Sequence, residues 1–300
     1  MKTKTQTFIW LIILAVAFTF ACKPEKPSDN AELFFKNNLV AWCVVPFDSM
    51  ERTPVQRAQM LKELGFTKFA YDWRANHLPD FPVEIGELKK QGIQLSAVWI
   101  WINSDSLLDQ NNARIFDIVK ENNVRTDFWV GFNNAVFEGL DNNGKFEKAV
   151  SMVKILENRA SEQGCTISLY NHGDWFGEPA TQIKIIEQTG SDKIGMVYNF
   201  HHAHEQIADF PVLLPKMLPY LKTVNLNGMR AEGPKILPIG QGDAELEMLK
   251  ILKESGYDGQ IGILGHVENV DVRLILQGNL DGLKSLLGKL GEDEAVTSYN

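Results

Sequence analysis

Cysteine is scarce in this sequence. The 300 residues include only three cysteines, at positions 22, 43 and 165. Three cysteines are too few for a disulfide scaffold, and their spacing fits no zinc ribbon. Cys43 and Cys165 both fall in segments that predict strands, so we expect buried thiols that are not joined to each other.

Positive charge is also in short supply. The chain has 30 lysines and arginines against 38 aspartates and glutamates, a formal net charge of -8. Binding to a nucleic acid backbone depends on clustered Lys and Arg that neutralise phosphates, and the sequence has no dense basic cluster. We therefore expect no nucleic acid partner and no pocket for a phosphate dianion. Arg230 stands alone as a phosphate-binding candidate, in the loop after the seventh predicted strand.

No apolar run is long enough to cross a membrane. The longest, Phe8–Phe20, falls short of the roughly 20 residues that a transmembrane helix needs. Lysines precede this run, and small residues, Cys22 and a polar, proline-containing stretch follow it. This order is typical of a secretory signal, and Thr19-Phe-Ala-Cys resembles the lipobox of bacterial lipoproteins.

The N-terminal pattern predicts where the protein works. We expect a signal peptide over 1–21, a lipid anchor on Cys22 and a tether over 22–37. The protein is then an exported bacterial lipoprotein, periplasmic or associated with the outer membrane. Simple secretion with an incidental Cys22 is the alternative.

Strand-like and helix-like segments alternate along the rest of the chain. Apolar, β-branched or aromatic runs predict eight strands, at Leu39–Phe47, Phe66–Trp73, Ile93–Ile102, Asp127–Phe132, Thr166–Tyr170, Ile194–Phe200, Leu221–Leu226 and Ile261–Leu264. Apolar residues at helical spacing lie between them, at Val55–Leu64, Phe146–Ala160, Leu246–Leu252 and Val272–Leu287.

Eight strand–helix units predict a parallel α/β structure. We expect a (β/α)8 TIM barrel that forms a single domain over 38–290, followed by a C-terminal tail over 291–300. An open doubly wound sheet is the alternative, but no Gly-x-Gly-x-x-Gly follows the first strand.

The histidines fall at one end of this predicted barrel. All six lie at, or just beyond, the C-terminal end of a predicted strand: His77, His172, His201, His202, His204 and His266. Working residues of TIM barrels sit at that end. Imidazole supplies metal ligands and acid–base groups near neutral pH, so we expect the site at this mouth.

Four segments carry a resemblance to a known family. They are Tyr170-Asn-His-Gly, Gly195-Met-Val-Tyr-Asn-Phe-His-His-Ala, Leu237-Pro-Ile-Gly-Gln-Gly-Asp and Gly256-Tyr-Asp-Gly. Together they resemble the sugar phosphate isomerase/epimerase family, the xylose isomerase-like barrels that also include the endonuclease IV group. The resemblance covers roughly residues 38–290. It implies proton removal next to a sugar carbonyl, assisted by a divalent metal.

The resemblance fails at the metal ligands. The family holds its metal with Glu, Asp, His and Glu, and the corresponding residues here are Tyr170, Asn199, Asn225 and Leu264. None of these is a strong ligand for a divalent cation. Two residues further along each strand stand His172, His201, Asn227 and His266, which share the inward face because strand side chains alternate.

These residues allow three interpretations. The first is a relocated metal site of His172, His201, Asn227 and His266, which would suit Zn, Mn, Co or Ni. The second is a barrel that has lost its metal, in which His172 and His202 act directly as acid and base. The third is a binding protein without catalysis.

Further polar and aromatic residues are expected near the mouth. The catalytic candidates are His202, His172, Asp72 and Glu178, although an ion pair with Arg74 is the simpler role for Asp72. The substrate-binding candidates are Arg74, His77, Trp101, Asn171, Trp175, Asn199, Asn225 and Arg230. Aromatic faces stack on the apolar side of sugar rings, and amides bind hydroxyls.

The sequence thus predicts a carbohydrate-active enzyme of the sugar isomerase/epimerase type. It would remove a proton next to the carbonyl of a neutral sugar or keto-sugar, with a small-molecule sugar or glycoside as its partner and a metal as its cofactor. The alternatives are a lyase or hydrolase that acts on an oxidised glycoside, or a lipid-anchored glycan-binding barrel without activity.

Overall fold

The computed structural model describes residues 30–300, in which eight parallel strands close into a barrel in chain order. The strands are β1 (Leu39–Trp42), β2 (Lys68–Tyr71), β3 (Gln94–Ile102), β4 (Asp127–Phe132), β5 (Thr166–Tyr170), β6 (Ile194–Asn199), β7 (Leu221–Leu226) and β8 (Gln260–Leu264). Strand β1 pairs with both β2 and β8, which closes the sheet. The predicted single-domain TIM barrel is confirmed.

Helices follow the strands on the outside of the barrel. They are α1 (Pro54–Glu63), α2 (Phe81–Gln91), α3 (Gln110–Glu121), α4 (Asn142–Ser161), α5 (Asp174–Gly177), α6 (Pro179–Thr189), α7 (Phe210–Met217), α8 (Glu245–Glu254), α9 (Val272–Leu290) and α10 (Asp293–Thr297). Helix α1 shows how local sequence sets a boundary. The N-cap residue Thr53 and Gln56 in the first turn form a capping box at the start of the helix. Gly65 follows the helix with a positive φ of 81°.

Most predicted boundaries agree with the structure. Strands β4, β5 and β7 begin and end where the sequence predicts. The first strand is shorter than predicted and ends at Trp42, because Cys43 adopts a left-handed φ of 55° that turns the chain out of the sheet. A 3-10 turn, Val45–Phe47, follows and brings this loop over the mouth of the barrel.

The core has two parts. The larger lies between the sheet and the helices. The smaller fills the inside of the barrel with Val40, Trp42, Cys43, Phe47, Ala70, Ala97, Trp129, Tyr170, Val197 and Leu264. Rings dominate this inner cluster, and Trp42 meets Trp129 edge-on with centroids 4.8 Å apart. The inner cluster closes the barrel below its mouth.

Both ends of the described chain pack under the barrel. Leu33 and Phe34 are buried, so residues 30–37 are not the tether that the sequence predicts there. The tail predicted over 291–300 contains helix α10, and the Tyr299 hydroxyl donates to the Phe34 carbonyl at 3.1 Å. Apolar side chains in both segments account for this packing. The predicted signal peptide and Cys22 lie outside the described residues.

Two further findings concern cysteine and membranes. Cys43 and Cys165 are buried free thiols, as predicted. Within residues 30–300, no helix combines the length and apolar character needed to cross a bilayer.

Candidate active site

A cavity opens at the C-terminal mouth of the barrel. Its water-accessible volume is about 140 Å³. It is lined by Trp42, Cys43, Phe47, Asp72, Arg74, Trp99, Tyr170, His172, Asn199, His201, His202 and His266. The cavity therefore gathers four of the six histidines at the end of the barrel where the sequence places the site.

A crescent of aromatic rings borders this cavity. Trp101, which the sequence predicts as a substrate-binding residue, contacts the lining residues Trp99 and His172 but does not itself line the cavity. Neighbouring centroids are 3.9 Å apart for Phe47–His266, 5.6 Å for His266–His201, 4.2 Å for His201–His202, 4.2 Å for His202–His172, 4.7 Å for His172–Trp101 and 5.7 Å for Trp101–Trp99. Trp101 has room to lie flat only because Gly131 lacks a side chain. A Cβ at that position would stand 2.6 Å from the Trp101 ring.

The histidines of this crescent are neutral at neutral pH. Burial lowers the pKa of His172 and His266. Burial, together with the neighbouring imidazoles, lowers the pKa of His201 to about 4 and that of His202 to about 2. Each ring therefore offers one N–H donor and one acceptor nitrogen, which suits a neutral polar ligand.

Asp72 contributes a half-satisfied carboxylate to the cavity. Its Oδ1 accepts hydrogen bonds from the backbone N–H groups of Val44 at 3.1 Å and Val45 at 3.2 Å. Its Oδ2 is buried without a hydrogen-bond partner among the described residues. Burial raises the pKa of Asp72 to about 6, although the two backbone donors and the Arg74 charge oppose the rise.

The ion pair predicted between Asp72 and Arg74 is not formed. The Arg74 guanidinium donates instead to the Trp73 carbonyl at 2.9 Å and lies 5.6 Å from the centre of the Phe47 ring. Asp72 lies fully inside the barrel, whereas the Arg74 side chain is exposed at its rim. Asp72 is thus left available to act on a ligand.

Tyr170 forms part of the cavity floor. Its hydroxyl oxygen accepts hydrogen bonds from Asn199 Nδ2 at 2.5 Å and from Trp42 Nε1 at 3.2 Å. Burial, with the nearby Cys43 and Asp72, raises its pKa, so the phenol keeps its proton. Within residues 30–300 no group accepts that proton, which leaves it free to hydrogen-bond a ligand.

The fold has known relatives. The sequence matches no family profile. It is 30% identical over 149 residues to an uncharacterized protein of Methanocaldococcus jannaschii, and the match spans 47% of each chain, about half of that relative's length.

Solved structures resemble the whole barrel. 3-Keto-D-glucoside 4-epimerase from E. coli superposes with a TM-score of 0.62 at 14% identity, over 83% of this chain and all of that one. This likeness shows the TIM-barrel fold. A xylose isomerase-like TIM barrel protein from Mycobacterium smegmatis, in complex with magnesium, gives a TM-score of 0.54 at 14% identity over 82% of this chain and 89% of that one. A family 2 AP endonuclease from Brucella melitensis gives 0.59 at 14% over 79% and 96%.

The sequence resemblance implies a divalent metal at the mouth of the barrel. Among residues 30–300, no group of three or more His, Cys, Asp or Glu side chains is arranged to hold a metal ion. The Tyr170 hydroxyl already accepts two hydrogen bonds, and Leu264 carries no donor atom. The donor set at the family's ligand positions does not fit a divalent cation.

The relocated metal site fits no better. His172, His201 and His266 line the cavity, but Asn227 does not. The Asn227 amide is buried and donates to the carbonyls of Gly228 at 2.9 Å and Lys235 at 2.7 Å. We therefore derive no chemistry through a metal.

Two predicted residues point away from the cavity of this barrel. Glu178 is exposed at the start of α6, where its carboxylate accepts from Gln206 Nε2 at 2.7 Å. Trp175 packs on Phe137 and Phe146, each with centroids 5.0 Å away. The short helix α5 carries the chain outward after β5, so neither side chain reaches the mouth.

Arg230 and His77 do not line the cavity either. Arg230 is exposed, and its backbone carbonyl lies 2.6 Å from Nε2 of the buried His204. His77 Nδ1 accepts from the Arg74 backbone N–H at 3.0 Å, which fixes the turn after β2. His77 borders a second cavity beside the mouth.

The predicted asparagines divide between cavity and framework. Asn199 lines the cavity, and its role in substrate binding stays a prediction. Asn171 instead links β5 to β6, because its amide exchanges hydrogen bonds with the Asn199 backbone at 2.8 and 3.1 Å. Asn225 lies inside the barrel against Gly262, below the mouth.

Sequence reasoning missed several lining residues. Trp42, Cys43, Phe47 and Trp99 line the cavity, and Tyr170 contributes a hydroxyl where we expected only a lost ligand. Alternation along β1 does indicate that Trp42 faces inward with Val40. No sequence pattern predicts the left-handed turn at Cys43 that brings Phe47 over the mouth.

Proposed function

We propose that this protein is an enzyme of the sugar isomerase/epimerase type that removes a proton next to the carbonyl of a neutral keto-sugar. One observation carries the proposal. The same cavity holds Asp72, with an unpartnered carboxylate oxygen, and Tyr170, with a phenol proton that no described residue accepts. A base and a hydrogen-bond donor at one mouth are the two groups that enolisation requires.

Asp72 acts as the base in this mechanism. Its Oδ2 takes the proton from the carbon beside the carbonyl, and the electrons of the broken C–H bond form an enediolate. Return of the proton from Asp72 to the former carbonyl carbon on the same face, while the hydroxyl proton passes between the two oxygens, gives an isomer. An epimer forms when a second donor supplies a proton to the opposite face of the first carbon and Asp72 releases its proton to solvent. A pKa of about 6 leaves Asp72 ionised at neutral pH yet able to hold the proton between the two steps.

The histidines act as donors rather than bases. A pKa of about 2 makes the His202 imidazole a far weaker base than Asp72. As a neutral ring it still donates an N–H hydrogen bond, which stabilises charge on an oxygen without itself needing to ionise. Tyr170 and His202 thus hold the developing oxyanion, with their ring centroids 5.6 Å apart.

The lining of the cavity favours a neutral substrate. Arg74 is the one lysine or arginine among the lining residues, and it sits at the rim. The remaining surface is aromatic rings and neutral hydrogen-bonding groups, which match the apolar faces and hydroxyls of sugars. The likeness to 3-keto-D-glucoside 4-epimerase supports a keto-sugar among neutral sugars.

Solvent exchange tests the proposal whichever product the enzyme forms. The protein is incubated in D2O with D-fructose, D-tagatose, D-psicose and methyl 3-keto-glucosides, and NMR follows deuterium at the carbon beside each carbonyl. We expect enzyme-dependent exchange in at least one of them. Saturable binding with no exchange in any probe would favour a glycan-binding barrel and overturn the proposal.

We also propose that the protein is exported and anchored to the membrane through lipid on Cys22. The support is the sequence around Thr19-Phe-Ala-Cys. In cells fed a labelled fatty acid, we expect label on the wild type and none on Cys22→Ala. Equal labelling of both would exclude Cys22 as the anchor.

A further inference from the structure

A second cavity adjoins the first at the mouth of the barrel. Its water-accessible volume is about 630 Å³, and its lining includes Thr53, Tyr71, Asn76, Asp80 and Glu268. Phe47 and Arg74 line both cavities, so the two spaces meet at these residues. The first cavity lies at the barrel axis, and the second is lined by the loops after β1 and β2.

Ion pairs of Arg52 hold the outer wall of the second cavity in place. Arg52 donates to Asp271 at 2.7 and 3.0 Å and to Asp48 at 2.7 Å, which ties the loop after β1 to the start of α9. Asp48 also bridges to Val270 in the loop after β8. A paired, two-pronged guanidinium holds its position more rigidly than a single contact does.

Two of the arginines that line this cavity are already paired with carboxylates. Arg57 is buried and donates to both carboxylate oxygens of Glu84, at 2.8 and 3.1 Å. With Arg52 and Arg57 paired, Arg74 is the one lining cation without a carboxylate partner among the described residues. A phosphate group would find no cluster of charges here, because a single rim guanidinium is all that remains.

The free groups of the second cavity suit hydroxyls instead. The side chains of Asn76 and Asp80 line it, and neither makes a side-chain hydrogen bond to another described residue. An amide offers donors and an acceptor, a carboxylate offers acceptors, and the Arg74 guanidinium offers donors. This mixture can bind a ring of neighbouring hydroxyls.

We infer that the second cavity is a subsite for a second sugar ring, so that the substrate is a glycoside of two rings rather than a single keto-sugar. The inference rests on the proposed function for the reacting ring, which occupies the cavity with Asp72 and Tyr170. The second ring lies beyond Phe47 and hydrogen-bonds Arg74 and Asn76. A monosaccharide would leave this larger space to water.

Binding of unreactive probes tests the subsite independently of catalysis. Titration calorimetry compares methyl glucoside, which has one ring, with methyl maltoside and methyl cellobioside, which have two. We expect at least one two-ring probe to bind wild type more tightly than methyl glucoside of the same anomeric form by roughly tenfold or more. Equal affinity for one and two rings, or no binding of any probe, would overturn the inference.

Filling the second cavity supplies the matched comparison. Asn76→Trp places a large ring in the subsite, whereas Asn143→Trp makes the same change on the exposed surface of α4. We expect the two-ring advantage to vanish in the first variant and persist in the second. Glu268→Trp fills the same space from the loop after β8 and serves if Asn76→Trp does not fold. An advantage that survives both cavity variants would contradict the subsite.

The binding test separates the two proposals. If two rings bind better than one but no probe undergoes deuterium exchange, the subsite stands and the proposed chemistry fails. If exchange occurs with equal affinity for one and two rings, the chemistry stands and the subsite fails.

Discussion

Asn199 Nδ2 donates a hydrogen bond of 2.5 Å to the hydroxyl oxygen of Tyr170, across the neighbouring strands β5 and β6. By the sequence resemblance, these two residues correspond to positions at which that family holds a metal with Glu and Asp. This chain has a hydrogen-bonded phenol and amide there. With Asn199 and Trp42 both donating to its oxygen, the Tyr170 phenol becomes a better hydrogen-bond donor, which is the role that a metal would otherwise supply.

Tyr170→Phe removes the proposed oxyanion donor. We expect the deuterium-exchange rate constant at saturating substrate to fall by roughly 10²–10³-fold, the cost of losing one such donor, with a smaller change in KM. The variant also leaves the Asn199 and Trp42 donors without their acceptor, which costs about 1–3 kcal/mol of unfolding free energy. Exchange kinetics and urea denaturation measure the two effects.

Tyr198→Phe is the matched control for that variant. Tyr198 lies in β6, its hydroxyl is buried without a partner among the described residues, and it does not line the cavity. We expect it to leave exchange unchanged. Equal losses in the two variants would assign the Tyr170 effect to packing rather than to the hydroxyl.

Asp72→Asn removes the proposed base with little change of shape. The amide oxygen can still accept from Val44 and Val45, but the side chain can no longer take up a proton. We expect exchange to fall by about 10²–10⁴-fold. In wild type, kcat/KM should rise with pH through about 6 and then level off, because the base acts only when ionised. Retention of this rise in Asp72→Asn would assign it to another group.

The same residue predicts how stability depends on pH. The pKa of Asp72 is raised from 3.8 to about 6 in the folded protein, so the fold binds the proton more tightly than the unfolded chain does. Its contribution to the free energy of unfolding is therefore complete below pH 4 and is lost as the pH rises through about 6. The total loss is about 3 kcal/mol. Urea denaturation should show a shallower decline over this interval for Asp72→Asn than for wild type. Parallel curves would contradict the raised pKa.

Gly131→Ala tests the aromatic crescent. The new Cβ would stand 2.6 Å from the Trp101 ring, which must move away from its edge contact with His172. We expect a loss of about 1–3 kcal/mol in stability and reduced affinity for any sugar that binds. Gly86→Ala is the control, since no atom of the described residues lies within 4 Å of a Cβ there and the residue is in helix α2. Substrate affinity should be unaffected by the control.

Much of the fold follows from sequence periodicity. Strands β4, β5 and β7 are short runs rich in apolar, β-branched and aromatic residues, almost all of them buried, and this composition made their bounds predictable. Strand β1 was not, because its end depends on the backbone of Cys43. A left-handed conformation at a non-glycine residue is set by its surroundings rather than by its own preference.

The sequence predicts that the site lies at the C-terminal mouth of the barrel, but it does not predict the directions of the histidine side chains. His172, His201 and His266 line the mouth as expected, yet they lie beyond the last residues of β5, β6 and β8. The alternation used to assign them a common metal holds only inside a strand. His201, for example, lies in the 3-10 segment that follows Asn199, so its direction depends on that turn.

In the mechanism that we propose, this barrel removes a proton with Asp72 and Tyr170 rather than with a metal. The most direct test is deuterium exchange by protein dialysed against a strong chelator, with metal content checked by elemental analysis, before and after addition of Mg, Mn, Co, Ni or Zn. We expect full exchange in the metal-depleted protein and no gain from any cation. Exchange that disappears on depletion and returns with one cation would overturn this mechanism.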